Sequence, residues 1–494
     1  MSSTVRKSIY MTGGSLLNVV VGVGFQLILA SRLGVSDIGD LYFLSSMVPT
    51  LVATILIGSS PSVLVPVIVA NGDGRVSALT FAKPTLGLVS IVIGMLVVQP
   101  YLIEIAFGES QNSGLASISA ICVLACPFAW ITAICQSISI AREKFLIVGI
   151  SGAINGIALV SATAFFFSYG FSGERLAMCF VAGYVLQAVI QSIAVRNFVS
   201  LSGVSNPAEL NEITRRLSKN LAIMFASALL YKSQPIVERT LSALFEGGPS
   251  VISYAEKITQ AALLASTLGL ALISLPQISK FVSEGRLDEG RAVATRVVTY
   301  VAAFAAPITA VGVIHAEAIV RVIYLRGEFN ETAVGSVSTV VRIALIGVAF
   351  SALSGPMVNY LYARGMYKNT ASISVAATAV GIVVSLLCRS EFGLPGVVAG
   401  GVFTLVLNFF AFFALIYHED WRSGLLMQAQ VVAIFSVTVI AATLTSRVIL
   451  NGSGTMVHEV AAVCTTLVAA GTASVGIAWT LKGTHEHIVS NTRG

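Results

Sequence analysis

The sequence predicts an all-α polytopic membrane protein of fourteen transmembrane helices. They are arranged as two six-helix lobes related by a pseudo-twofold axis along the membrane normal, plus two extra C-terminal helices. Three observations carry that prediction. The 494 residues are 56% hydrophobic and only 11% charged, with a mean hydropathy of +0.88, whereas a soluble domain carries about 25% charged residues. Apolar windows long enough to cross a bilayer, about 20 residues each, recur between short polar breaks. Basic residues collect in alternate breaks. A strand barrel is excluded, because the windows are too long and lack in–out alternation.

The first window, 8–32, follows a basic start (MSSTVRKS) and runs on through Leu33 without a small-residue cleavage site. It therefore reads as a span and not as a removed signal. Windows 39–69, 79–105, 113–139, 145–170 and 174–197 complete an N-terminal lobe, 1–198, with no Asp, Glu, Lys or Arg at the middle of any span. The moderately polar stretch 199–217 reads as a cytoplasmic linker. Windows 218–244, 249–281, 293–325, 331–362, 368–388 and 394–417 form a C-terminal lobe, 218–420. Region 421–494 holds windows 425–446 and 457–481 and a cytoplasmic tail. The last window is rich in small residues (Ala461, Ala462, Ala469, Ala470, Gly471, Ala473, Gly476), which suits close helix packing or a groove for a lipid tail. Pro49, Pro61, Pro66, Pro235, Pro276, Pro307 and Pro356 interrupt windows, each freeing a carbonyl and permitting a kink.

With the N-terminus inside, the cytoplasmic breaks hold 19 Lys and Arg and the outer ones 6, so the positive-inside rule places both termini in the cytoplasm. The pI near 9.0 thus reports topology and implies no nucleic-acid partner. The six cysteines have no metal or redox spacing and read as small core residues. The five histidines are scattered at window ends, and His485 and His487 sit in a solvated tail, so no metal site is expected. There is no phosphate-loop motif and no Gly-Lys dipeptide, which argues against ATP drive. No extramembrane loop exceeds about 25 residues, and no acid pair suits glycosyl transfer. Nothing here argues for an enzyme.

The remaining four cations lie inside apolar windows: Lys232, Arg239, Lys257 and Arg342, with the acids Glu238 and Glu256. A lone cation at the bilayer centre costs about 2.5–3.5 kcal/mol, so such a group faces a partner or a cavity. Lys232 and Arg239 are seven apart, which places them on one face of a continuous helix. One reading pairs each acid with a cation to lock helices together. The other is a hydrated, positive cavity for an anionic headgroup, and four cations against two acids favour it. The candidate binding set is Lys257, Arg239, Lys232, Arg342, Glu256, Glu238 and Tyr254, with Lys257 the leading contact. No cofactor is expected. Outward movement of an anion gains about 2.3 kcal/mol per charge per 100 mV, so the membrane potential or a coupled ion can drive transport.

The two halves echo one another. Tyr42, Val65-Pro66 and Arg75 correspond to Tyr254, Leu275-Pro276 and Arg286; Ala141-Arg142 to Ala363-Arg364; and Phe107-Gly108-Glu109 to Arg326-Gly327-Glu328. The offset is six windows. Six is even, so both repeats point the same way across the membrane.

Residues 34–43 (GVSDIGDLYF), followed by Pro49 and Val65-Pro66, resemble the lipid II flippase (MurJ/MviN) family of the MOP transporter superfamily. So do 251–257 (VISYAEK), 275–280 (LPQISK) and 326–329 (RGEF). The resemblance implies a flippase of the bacterial inner membrane. It moves an undecaprenyl-diphosphate-linked saccharide from inner to outer leaflet by alternating access of the lobes, and its last two helices take the lipid tail. The family's basic residue after Tyr-Ala-Asp matches Lys257, and the acid before it matches Glu256. Where lipid II flippases place arginines in spans 1 and 2, this chain has Val19, Phe25, Ala53 and Thr54. That departure fits a carrier of another lipid-linked oligosaccharide, such as an exopolysaccharide or O-antigen unit of a cell-surface polysaccharide, with a peptidoglycan precursor as the alternative cargo. Expected partners are that lipid, membrane lipids and glycan-synthesis enzymes, with the protein a monomer. Two alternatives stand: an ion-coupled multidrug exporter of the same superfamily, and a polytopic polysaccharide polymerase or ligase.

Overall fold

Long apolar segments in lipid must satisfy every backbone group internally, so they become helices. The computed structural model describes residues 3–70, 76–107, 112–166, 172–200, 207–267, 270–418, 420–449 and 456–491. These are almost wholly helical and fall into two units, Met1–Ser250 and Val251–Gly494.

The first unit holds α1 (Ser3–Leu33), α2 (Asp37–Ser59), α3 (Pro61–Ala70), β1 (Val76–Ser77), α4 (Ala82–Phe107), α5 (Asn112–Val123), α6 (Ala125–Ala141), α7 (Phe145–Phe166), α8 (Gly173–Val195), β2 (Val199–Ser200), α9 (Pro207–Tyr231) and α10 (Gln234–Ser242). The two short strands pair in parallel, Val76 with Val199 and Ser77 with Ser200. Its core joins Val52, Leu56 and Leu64 to Trp130 and Ile138, and the Trp130 indole N–H donates to Thr85 Oγ1 at 2.9 Å. The 34–43 motif is a helix start. Gly34 turns with φ +57°, and Ser36 caps α2 by accepting from the Gly39 amide at 3.4 Å. The Asp40 carboxylate accepts from the Ser250 amide at 2.9 Å and from its hydroxyl. A Cβ on Gly39 would lie 2.8 Å from Ser250 Oγ, the hydroxyl that donates to Asp40, so a larger residue there would press on that contact.

The second unit holds α11 (Gly248–Thr267, starting at the boundary), α12 (Leu270–Ser283), α13 (Leu287–Ile314), α14 (Ala316–Tyr324), α15 (Glu331–Ala363), α16 (Tyr367–Phe392), α17 (Leu394–Tyr417), α18 (Trp421–Ile449) and α19 (Met456–Asn491). Helix α13 is its axis, packing against α12, α15, α18 and α19. Its alanines 302, 305 and 306 are fully buried beside Leu361, Phe409 and Ile434. Asn330 caps α15 by accepting from the Ala333 amide at 2.9 Å.

Each expected window coincides with a helix or a pair of helices, but the count changes. Eleven helices among the described residues are long and apolar enough to cross a membrane, with Leu17–Leu33 a shorter apolar stretch; fourteen were expected. Windows 218–244 and 249–281 are not among the eleven. They carry Lys232, Glu238, Arg239, Glu256 and Lys257, which lower their hydropathy, and the first is broken between Tyr231 and Gln234. The stretch expected as a linker, 199–217, contains β2 and the start of α9. Helix α9 packs against α2, α3 and α4, so residues 218–242 group with the first unit.

Pro49, Pro66, Pro307 and Pro356 sit inside helices, while Pro61 and Pro235 open new ones. Cysteines 122, 126, 135 and 179 are buried as expected of core residues, but Cys388 is half-buried and Cys464 exposed on α19. Arg75, Gly108 and Glu109 of the sequence echoes lie outside the described residues, as do the side chains of His485 and His487.

Candidate functional site

In the first unit the charged stretch falls at a helix break. Pro235 lacks an N–H and tolerates only the first turn of a helix, so α9 ends and α10 begins around Ser233. The Lys232 amide still donates to Ala228 O at 3.0 Å, while the Ile236 and Val237 amides turn to Ser233 O at 3.0 and 3.2 Å. Lys232 therefore occupies the turn between two helices. The expectation that it shares a face with Arg239 on one continuous helix does not hold. Both side chains are half-buried. Glu238 accepts from Gln234 Nε2 at 3.2 Å, and α10 packs on α2.

In the second unit, Tyr254, Glu256 and Lys257 share α11 but do different things. Tyr254 is fully buried. Its ring lies 5.2 Å from that of Tyr324 and 5.4 Å from that of Phe329, and the Tyr324 hydroxyl donates to Tyr254 O at 3.2 Å. The YAEK and RGEF motifs thus meet in one aromatic cluster, with Gly327 (φ +61°) making the turn that turns Phe329 inward. Glu256 and Lys257 are half-buried and both contact Gln260. The Gln260 amide donates to Glu256 Oε1 at 2.9 Å and accepts from Lys257 Nζ at 3.2 Å.

Arg342, on α15, has a carboxylate neighbour. Its Nη2 lies 3.8 Å from Glu317 Oε2, within a larger ionic cluster centred on Arg321. That guanidinium meets Glu317 at 3.0 Å, Glu331 at 3.2 Å and Glu459 at 2.8 Å. Hydrogen bonds to Glu331 and Glu459 hold the Arg321 pKa above its usual value. Glu317 and Arg321 escape notice in the sequence because window 293–325 reads as one apolar span. In fact α13 stops at Ile314, and α14 is a separate amphipathic helix with the two residues one turn apart. Gln260 escapes because a search for charges passes over a neutral amide.

An apolar cavity of about 620 Å³ opens among α13, α15, α17 and α18, lined by residues including Val313, Ile346, Phe350, Phe409, Phe435 and Val439. It borders α18. Among the small residues of α19, Ala462 and Ala470 are buried, Ala461 is exposed, and a Cβ on Gly471 or Gly476 would meet open space; the Ser474 hydroxyl donates to Ala303 O of α13 at 2.7 Å.

Relatives share this sequence at low identity over most of its length. A probable lipid II flippase MurJ of Rhizobium tropici is 22% identical over 86% of this chain and 83% of its own. Another from Rickettsia prowazekii is 21% identical over 80% of each. The fold is that of a solved lipid II flippase MurJ in an inward closed conformation (TM-score 0.76, 14% identity, 98% of this chain and 99% of that one). It is also close to an inward-facing multidrug resistance MATE family transporter of the MOP superfamily (TM-score 0.65, 14% identity, 86% and 99%). Residues 29–469 match the family described as lipid II flippase MurJ, and a match over that much of the sequence means that this multi-pass membrane protein belongs to the lipid II flippase MurJ family.

Proposed function

We infer that the protein is a flippase that carries a polyprenyl-diphosphate-linked saccharide from the inner to the outer leaflet of the bacterial inner membrane. Family membership over residues 29–469 supports the class of activity. The observation that carries the site assignment is Lys257, a half-buried cation on α11 in a chain otherwise poor in mid-span charge. A diphosphate is the anionic group such a cation suits, and Lys232 and Arg239 at the α9–α10 break add positive charge in the first unit. The apolar cavity beside α18 is large enough for several isoprene units of a lipid tail. Movement needs no nucleotide, because the membrane potential already favours outward passage of a diphosphate.

The test is delivery of lipid-linked saccharide to the outer leaflet in cells that depend on this protein. Lys257→Ala is expected to abolish delivery and Lys257→Arg to keep most of it. Full delivery by the Ala variant rejects the assignment. The fold shared with a multidrug transporter supports one other reading, export of small molecules. On that reading, deletion changes drug susceptibility and leaves every surface glycan intact.

A further inference from the structure

Within the first unit, α6 and α8 run parallel, because contacts rise together along them. A Cβ on Gly173 would meet Ile118, just before α6. Further along, Cys135 Sγ lies 3.6 Å from Ser192 Oγ, and Arg142 lies beside the Phe198 ring. Each residue turns a helix by about 100°. Gln136 comes one residue after Cys135, and Gln191 one residue before Ser192. On facing parallel helices, one step forward and one step back turn to the same side of the seam. Thr132, three residues before Cys135, turns to that side as well. The three levels fall within four residues, about 6 Å of rise.

Three oxygens of these side chains are buried and have no hydrogen-bond partner: Thr132 Oγ1, Gln136 Oε1 and Gln191 Oε1. Thr132 and Gln191 are fully enclosed. Gln191 donates from Nε2 to Ile147 O of α7 at 3.1 Å, so its oxygen is the end left for the seam. Unpaired polar atoms in a buried, lipid-embedded seam are costly and call for a partner.

We propose that Thr132, Gln136 and Gln191 form a binding site for one alkali cation inside the first unit. Neutral oxygens can replace the hydration shell of such an ion. An amide oxygen only accepts, so two of the three atoms need a donor or a positive charge. A water molecule would find acceptors for its hydrogens but only the Thr132 hydroxyl to donate to it, and a buried water makes about three hydrogen bonds. No carboxylate belongs to the set, which suits a single charge over a double one. The cations Arg142 and Arg196 stand at the helix ends, six residues beyond Gln136 and five beyond Gln191. Use of the bound ion to drive transport rests on the flippase reading; its binding does not.

The test is the melting temperature of the purified full-length protein in detergent, in sodium, potassium or choline chloride at equal ionic strength. The native protein is expected to melt about 2–4 °C higher in sodium or potassium chloride than in choline chloride. Thr132→Val keeps the shape and removes the hydroxyl, and is expected to lose more than half of that shift. Equal melting in all three salts overturns the proposal and leaves the oxygens to internal water. A shift more than half retained in Thr132→Val also overturns it, because the ion then binds elsewhere. Should that variant give no folded protein, Gln136→Leu is read in the same way, and a shift more than half retained there overturns the site. None of these readings involves Lys257, so the headgroup assignment stands or falls separately.

Discussion

The C-terminal ends of α6 and α15, 222 residues apart in sequence, close in the same way with different residues. After Ala141, Arg142 donates to Ile138 O at 2.9 Å, Glu143 to Ile140 O at 3.0 Å and Lys144 to Ser139 O at 2.8 Å. After Ala363, Arg364 donates to Tyr360 O at 3.1 Å, Gly365 to Tyr362 O at 2.9 Å and Met366 to Leu361 O at 2.9 Å. Each is a Schellman closure with its turning residue in the left-handed region, Glu143 at φ +57° and Gly365 at φ +73°. Each arginine also lies 5.8 Å from an aromatic ring, Phe198 in the first unit and Tyr360 in the second. The sequence echo at these positions thus records a shared backbone solution more faithfully than shared side chains. The second unit meets the left-handed requirement with the residue suited to it, and the first tolerates strain.

Helix pairs show the same divergence. Helices α7 and α8 are joined by amides: Asn155 Nδ2 donates to Gln187 Oε1 at 3.1 Å, and Gln187 Nε2 to Ser151 Oγ at 2.9 Å. Helices α16 and α17 approach through small residues instead. A Cβ on Gly400 would lie 1.9 Å from Ser385 Oγ and 2.3 Å from Gly381 O, and the Ser385 hydroxyl donates to Val397 O at 2.8 Å. Both are ways to associate helices where lipid offers no hydrophobic drive. The largest predicted effect follows from the second. Gly400→Val must force two backbones apart and is expected to cost about 3 kcal/mol, seen as a lower melting temperature in detergent or failure to give monodisperse protein. A native-like Gly400→Val would show that α16 and α17 have room that the geometry denies.

Next in size is an asymmetry between the two helix ends. Gly365→Val places a β-branched residue in the left-handed region and should cost about 2 kcal/mol, although its Cβ would enter open space. Glu143→Val begins from an already strained non-glycine residue and should cost less. Equal losses in the two melting curves would mean that φ is not what separates the ends. A smaller effect is expected in the amide pair. Gln187→Leu removes the partner of Asn155 and Ser151 and should cost about 1 kcal/mol, since interhelical hydrogen bonds in membranes are individually modest.

The apolar windows were readable because lipid dictates a minimum apolar length, and every window holds helix. Breaks inside them were less readable. Pro235 signals the α9–α10 break, but window 293–325 carries no breaker at Ile314, where the helix ends beside the buried His315. Six of the seven candidate site residues were found as charges in unexpected places, and the seventh is the tyrosine beside them. Charge alone could not tell that Arg342 lies beside Glu317 or that Lys257 donates to the Gln260 amide. The Arg321–Glu459 contact spans 138 residues, and no local pattern announces it. Gln260 was within reach of helical spacing, because residues three and four after an acid–base doublet are its neighbours on the helix surface. Tyr254, taken as a binding residue from its place in a motif, is fully enclosed by Tyr324 and Phe329.

The smallest predicted effect has the opposite sign from the others and tests the helix-end comparison most directly. Glu143→Gly relieves a left-handed conformation that costs a non-glycine residue roughly 1–2 kcal/mol. It also adds glycine's chain entropy to the unfolded state, worth roughly 0.5–1 kcal/mol. The net expectation is stabilisation by about 0.5 kcal/mol, which makes the α6 end more like that of α15. Glu143→Asn is expected to raise the melting temperature further, because asparagine accepts left-handed backbone without glycine's entropy. The ordering Asn above Gly above native, in one detergent at one pH, supports strain as the difference between the two ends. A native protein that melts highest would place the advantage in the contacts of the Glu143 side chain, and the α6 end would then owe its residue to interactions and not to tolerance of strain.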